Sequence, residues 1–545
     1  MKNMKWVLII TAAVAFGVGF TLTENDYFFK INKSIDLFGR VYKEVTLNYV
    51  DDIDPEKFME SGIDGLLGGL DPYTNFIDES EGDEVELITT GKYGGIGVTI
   101  GVQDNFITII SLMDGYTAQR QGLQPGDRII EVDGKSILGM KPENVRSMTR
   151  GEAGTDVKLK IEREGETKPL EFTLVREGIQ LKNITYADYI DDGIAYIKLE
   201  RFTRGAGDEL RLAIKDLKLK GTLKGVILDL RGNPGGLLDV AVDILEKFVP
   251  KGSLLVSTRG RKPESEKKYF ATEEPMLPDV PVAVLVNRNS ASASEIVAGA
   301  LQDLDRAVIM GTRSFGKGLV QTISPLPYNT QLKITTAKYY TPSGRCIQEI
   351  DYEHKNKEGV FATTPDSLRH EFKTLKGRPE FEAGGITPDS TVKEPELSSV
   401  NKELLRKAMY FKFATKYVST RKDSAKLIPD GELLQEFSAF TKEQGFEYES
   451  DAEQKLGELR ALVDTTAAGM KESLVNLERQ IKNEKDSGID HNRSEVLRNL
   501  KTEIMSRYGG ESGRIAASFE GDRQLAAAKG VLHNAAAYSR LLSSR

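Results

Sequence analysis

The spacing of apolar residues changes along the chain, and each change predicts a different architecture. From 24 to 85, Phe28, Phe29, Ile31, Ile35, Phe38, Val41 and Val45 recur at three- and four-residue intervals, which predicts helix. A second helix is expected over 55–70, ended by Leu70-Asp-Pro-Tyr73 because proline disfavours helix in the residue before it. From Gly91 the pattern turns to short β-rich runs at 98–101, 106–111 and 128–132, the last closed by the hairpin pair Asp133-Gly134. A helix over 141–148 and an alternating strand over 156–162 complete a small β-rich unit that closes near Glu177.

Strands then alternate with helices. Strands are expected at 194–199, 225–230, 281–286, 307–310, 319–323 and 332–339, and helices at 207–217, 237–248 and 292–304. This alternation predicts an α/β core on a mainly parallel sheet. After Pro395 the strand signals stop. Leu456, Leu459, Val463, Met470, Leu474, Leu477 and Ile481 follow a three-four pattern, broken at Asp486-Ser-Gly488 and resumed at Ser494. Fewer than four heptads are filled, which favours packing within the chain over a dimerising coil. The expected fold class is therefore multidomain α/β with an α-helical C-terminal extension.

A chain of 545 residues has room for about three or four domains. A formal net charge of −8 excludes a general nucleic-acid partner, which a basic face would serve. Cys346 is the single cysteine, so no intrachain disulfide can form. It sits in the strand-like run Arg345-Cys-Ile-Gln-Glu349 and is expected to be a packing residue. Lys2 and Lys5 precede an uncharged stretch that reaches Thr23, the layout of a signal peptide or an uncleaved membrane anchor over 1–23. Either reading places the bulk of the chain outside the cytoplasm.

Candidate chemistry is concentrated in a few runs. Ser290-Ala-Ser292-Ala-Ser294-Glu295 places three hydroxyls at a predicted helix start. There a backbone N–H can donate to a developing oxyanion. Ser292 with Glu295 also fits an ordinary capping box. Phe315-Gly-Lys317-Gly-Leu-Val-Gln321 supplies a lysine, with Phe315, Leu319 and Val320 as an apolar wall and Gln321 as an orienting amide. Such a lysine acts as a base only when neutral, a shift of about three units from its usual value. The four histidines lie away from both runs, which leaves a histidine triad without local support. Gly311 to Lys317 matches a P-loop, but Gly318 follows instead of Ser or Thr, and a strand is expected next instead of a helix. Leu228-Asp-Leu-Arg-Gly-Asn-Pro-Gly-Gly236 is a strand running into a Gly-rich turn that lacks the dinucleotide fingerprint. Tyr93-Gly-Gly-Ile-Gly-Val98 can present N–H groups to a peptide carboxylate and a strand edge to the peptide itself.

Together these runs resemble a known family. Gly94-Gly-Ile-Gly-Val98 with Leu123-Gln-Pro-Gly-Asp-Arg-Ile129 looks like a PDZ domain. Asp229-Leu-Arg-Gly-Asn-Pro-Gly-Gly236, the serine run, Phe315 to Gln321, Tyr340-Thr-Pro-Ser-Gly-Arg345 and Gly385-Ile-Thr-Pro-Asp389 resemble the carboxy-terminal processing, or tail-specific, proteases. The resemblance spans about 30–393 and implies a ClpP/crotonase-like core over 179–395 and an inserted PDZ domain over 86–178; the apolar spacing adds an N-terminal helical region over 24–85 and a helical extension over 396–545. It further implies Ser292 as nucleophile, Lys317 as base, Gln321 as support, and the N–H groups of Gly236 (over Gly235) and Ala293 as oxyanion donors. Substrate C-termini would be captured at Gly95, Ile96, Gly97 and Val98. No metal or cofactor is required. The extension, which matches no motif, is expected to drive oligomerisation, cap the substrate tunnel or bind an adaptor. The rival readings are a catalytically silent PDZ-bearing scaffold and a P-loop nucleotide enzyme.

Overall fold

The computed structural model describes residues 26–79, 82–355, 361–421, 427–463 and 468–543. The expected signal or anchor over 1–23 lies outside them. The chain divides into two units: Met1–Glu79 with Gln321–Thr335, and Ser80–Val320 with Thr336–Arg545.

In the first unit a helix runs over 26–48 and another over Pro55–Leu67. Asp54 caps the second by accepting from the Glu56 and Lys57 N–H groups. The two helices meet where Phe38 lies against Gly62 and Tyr42 stacks on Phe58 at 5.6 Å. The apolar stripe of the first helix is largely exposed, with Phe28, Phe29 and Ile35 each at least 60% accessible. The helical region is also interrupted, because Asn75–Ile77 is a strand paired antiparallel with Gln331–Lys333. Among the described residues no helix is long and apolar enough to cross a membrane.

The second unit holds three layers of structure that matter for the site. Val98–Gln103, Phe106–Leu112, Arg128–Val132, Asp156–Glu162 and Leu170–Val175 form one sheet in that order, with Lys135–Ser136 added to Arg128–Val132 through the expected hairpin at Asp133 and Gly134. Its core gathers Ile107, Ile109, Ile129, Val157, Leu159 and Leu174. Lys92–Gly95 stands apart, paired antiparallel with Glu177–Gln180.

A second six-stranded sheet has the order Ile184–Asp191, Ile194–Leu199, Gly225–Asp229, Val282–Val286, Val308–Gly311, Ser390–Thr391. Only the first pair is antiparallel. Side chains alternate between two faces, and both are buried, which explains the near-continuous apolar runs. Ile197, Val226, Leu228, Val282, Val284 and Ile309 face helices Ala206–Lys220, Leu238–Glu246 and Ala293–Asp303. Tyr196, Ile227, Ala283, Leu285, Val308 and Met310 face Ile515, Leu525, Ala528 and Leu542 from the end of the chain.

The remaining helices build their own core from Val400, Leu404, Phe413, Leu433, Phe437 and Leu500. Helices Asp451–Leu462 and Ala468–Asp486 carry the three-four stripe. Leu456, Leu474 and Ile481 do pack together, but Leu459, Met470 and Leu477 stay about two-fifths exposed (41%, 41% and 39%). The run at Cys346 is not a strand: Cys346 makes only an isolated bridge to Tyr340. Burial still pushes its thiol up, in keeping with a packing residue.

Candidate active site

Strand Val282–Val286 ends at Asn287, and the serine run follows before helix Ala293–Asp303 begins. Ser292 occupies the turn with φ 54 and ψ −115, a conformation L residues rarely adopt. The helix behind it is buried along its whole length, which holds the strained turn in place. The three serines are not equivalent. Ser290 Oγ donates to the Leu230 carbonyl at 2.8 Å and Ser294 Oγ to the Asn233 carbonyl at 2.9 Å, and both are fully buried. Ser292 is half-buried.

The Gly-rich turn is knitted to the same run. Ala291 N–H donates to the Asn233 carbonyl at 3.1 Å, and Asn287 Oδ1 accepts from Gly232 N–H at 3.0 Å. Asn233 is itself fully buried, donating through Nδ2 to the Leu199 carbonyl at 2.8 Å and accepting from Gly235 N–H at 2.9 Å. A side chain on Gly235, at φ 96, would stand 2.8 Å from Ala293 N and 2.9 Å from Ser292 Cβ. Only glycine lets this backbone approach the serine. One on Gly236 would meet the Phe202 carbonyl at 2.5 Å. Ala293 opens the helix, where N–H groups have no intrahelical partner.

Lys317 lies in an irregular segment before strand Leu319–Pro325. A strand follows the P-loop-like run, so it lacks the helix N-terminus that cradles phosphates. Of the three expected wall residues, Leu319 is buried, Val320 half-buried and Phe315 40% exposed. The Tyr339 hydroxyl donates to the Lys317 carbonyl and lies 3.2 Å from the Ser292 carbonyl. Gln321 belongs to the first unit. There its Nε2 donates to Thr335 Oγ1 at 3.1 Å, and Thr335 Oγ1 donates to Asp71 Oδ1 at 3.1 Å, which fixes the amide's orientation.

Glu295 is more than the cap its sequence pattern suggests. One oxygen accepts from Ser314 Oγ at 2.5 Å and Gly316 N–H at 2.7 Å. The other accepts from Ser292 N–H and Lys317 N–H, both at 2.9 Å. One buried carboxylate therefore ties the serine turn to the lysine segment. Burial raises its carboxyl to about 7, against hydrogen bonds that favour the charged form. Asp229, at the end of strand Gly225–Asp229, is the opposite case. Burial alone would raise it, but Arg231 and then Lys198 outweigh burial and hold it at about 2. No sequence signal distinguished either residue from a cap or a strand end.

The Gly95–Val98 segment lines a cavity of about 190 Å³ together with Tyr93, Ile100, Met113 and Leu181. Arg146, Arg150 and Arg201 also line it, and no acidic residue does among the described residues.

Comparison with known proteins agrees with these features. Residues 193–355 match peptidase family S41, residues 84–162 match the PDZ domain, and residues 400–532 match a family described as probable PDZ-protease, C-terminal helical domain. A carboxy-terminal-processing protease of Bartonella bacilliformis is 43% identical over 321 residues, 58% of this chain and 73% of that protein. The carboxy-terminal processing protease CtpA of Bacillus subtilis is 30% identical over 414 residues, 74% of this chain and 86% of that one. The solved photosystem II D1 C-terminal processing protease is 25% identical, covering 66% of this chain and 92% of its own, at a TM-score of 0.36 that adds nothing to the assignment. The two sequence relatives suffice: the chain is a serine peptidase with a PDZ domain and belongs to the carboxy-terminal processing proteases of peptidase family S41.

Proposed function

We propose that this peptidase cuts proteins from their C-termini outside the cytoplasm, by acyl transfer on a Ser292–Lys317 dyad. The observation that carries the reading is the uneven use of the three serines: Ser290 and Ser294 spend their hydroxyls on backbone carbonyls, and Ser292 sits at the strained turn. Neutral Lys317 takes the Ser292 proton as Oγ attacks the scissile carbonyl. The oxyanion is held by Ala293 N–H and Gly236 N–H; Gly235 N–H is engaged by Asn233, which favours Gly236. Lys317 returns the proton to the leaving amine, and the acyl-enzyme is hydrolysed with Lys317 again as base. By the resemblance, Gln321 is the residue assigned to support that amine.

The PDZ groove at Gly95, Ile96, Gly97 and Val98 captures the substrate's C-terminal carboxylate, supported by its arginine lining. The domain limits 24–85, 86–178, 179–395 and 396–545 belong to this reading, as do export or anchoring through 1–23 and self-association or adaptor binding through the C-terminal helices.

The test compares wild type, Ser292→Ala and Lys317→Ala on an unfolded protein with an apolar C-terminus, with fragments identified by mass spectrometry. Cutting by wild type alone, with both variants folded, establishes the dyad. Cutting that survives Ser292→Ala removes Ser292 as nucleophile. A wild type that stays inert even after PDZ deletion favours a silent scaffold.

A further inference from the structure

The last helices of the chain reach the Gly-rich turn directly. Arg231 opens that turn, and its side chain is 16% exposed. Nε donates to Asp229 at 3.0 Å and Nη2 at 2.6 Å. The other side of the guanidinium belongs to residues nearly three hundred positions away: Nη2 donates to Asp522 Oδ2 at 2.8 Å, and Nη1 donates to Asp522 Oδ1 at 3.2 Å and Gln524 Oε1 at 3.0 Å. Gln524 is 1% exposed, and its Nε2 is anchored on the Val392 carbonyl at 2.8 Å. A planar fork gripped on both edges by carboxylates cannot rotate, and such paired contacts fix geometry as well as supplying energy. The backbone that follows Arg231 runs through Asn233 to Gly235 and Gly236.

We infer that Asp522, with Gln524, is a positioning residue of the peptidase: through Arg231 it sets the turn that presents the Gly236 N–H, so the C-terminal helices are part of the catalytic unit. This rests on the acyl-transfer reading above. The structure contains its own comparison. Lys529, in the same helix Arg523–His533, pairs with Asp191 at 2.9 Å and so joins that helix to the sheet's edge strand. The Lys529 pair is the more exposed of the two (33% and 36% against 16% and 13%), so Lys529→Ala serves as a control for helix anchoring that does not touch the Gly-rich turn.

Asp522 also caps its helix, accepting from Leu525 N–H at 2.8 Å. Asp522→Ser keeps a capping side chain but is too short to grip the guanidinium. The experiment uses the full chain and compares wild type, Asp522→Ser, Lys529→Ala and Ser292→Ala. It measures kcat and KM on a peptide substrate, the rate of serine labelling by a fluorophosphonate, and the melting temperature. For Asp522→Ser, kcat and labelling fall about ten- to a hundredfold, the cost of a misplaced group, while KM holds; melting falls, because the buried guanidinium loses a carboxylate, but the protein stays folded at the assay temperature. Lys529→Ala keeps wild-type kcat. Unchanged kcat and labelling in Asp522→Ser, or an equal loss in Lys529→Ala, overturns the inference. Cleavage that survives Ser292→Ala overturns the acyl-transfer reading itself, whereas a dead Ser292→Ala beside a fully active Asp522→Ser overturns only this inference.

Discussion

Glu295→Gln separates the charge of the buried carboxylate from its shape. The two oxygens face four donors: the Ser314 hydroxyl and the backbone N–H groups of Ser292, Gly316 and Lys317. However the new amide is turned, its NH2 meets at least one buried N–H, which costs about 1–3 kcal/mol at every pH. The charge adds a second, pH-dependent difference. The wild-type carboxyl rises from 4.5 to about 7 on folding. A shift of that size is worth about 3 kcal/mol at 1.36 kcal/mol per unit. Its sign follows from proton affinity: the folded state holds the proton more tightly. The contribution is therefore fully present below the unfolded value of 4.5 and is lost as pH rises through the folded value of about 7. Glutamine does not titrate. Urea unfolding of both proteins near pH 5 and near pH 8 is the assay, because the other titrating groups cancel in the difference. Wild type should lose about 2–3 kcal/mol of its advantage over the variant between the two conditions. A gap that stays constant within about 0.5 kcal/mol shows that Glu295 does not titrate in this range, and refutes the argument.

Two further substitutions test neighbouring parts. Gly235→Ala puts a Cβ 2.6 Å from the Ala291 carbonyl and 2.8 Å from Ala293 N at a φ of 96, and should abolish serine labelling by a fluorophosphonate even where far-ultraviolet circular dichroism shows a folded protein. Phe519→Ala removes edge-on contacts with Tyr186 at 5.3 Å and Tyr196 at 4.9 Å, and should cost about 2–3 kcal/mol in urea unfolding.

Much of the core was legible because its strands are buried on both faces and announce themselves as unbroken apolar runs. Gly225–Asp229, Val282–Val286 and helix Ala293–Asp303 fall where the pattern puts them. Strands Leu254–Gly260 and Lys267–Phe270 escaped notice because Ser257, Thr258, Arg259, Lys267 and Lys268 break the alternation. What covers the second face of the sheet could not be read either: Leu525 and Ala528 look like any amphipathic helix, and their partners Ile227 and Leu285 are hundreds of residues away. At the site, the run Ser290 to Ser294 left three candidate hydroxyls, and only their hydrogen bonds to Leu230 and Asn233 tell them apart. Glu295 was hidden by its own double use, since a cap and a bridge between segments have the same local spelling.

The covering of that second sheet face also sets an order of events. Ala283, Leu285 and Met310 share their apolar cluster with Ile515, Leu525, Ala528 and Leu542, so this face of the strands next to Ser292 stays partly uncovered until those helices dock. Contacts of such long sequence separation close slowly. Under the inference drawn above, a turn set through Asp522 is completed only when helix Arg523–His533 docks, and cutting waits for that step.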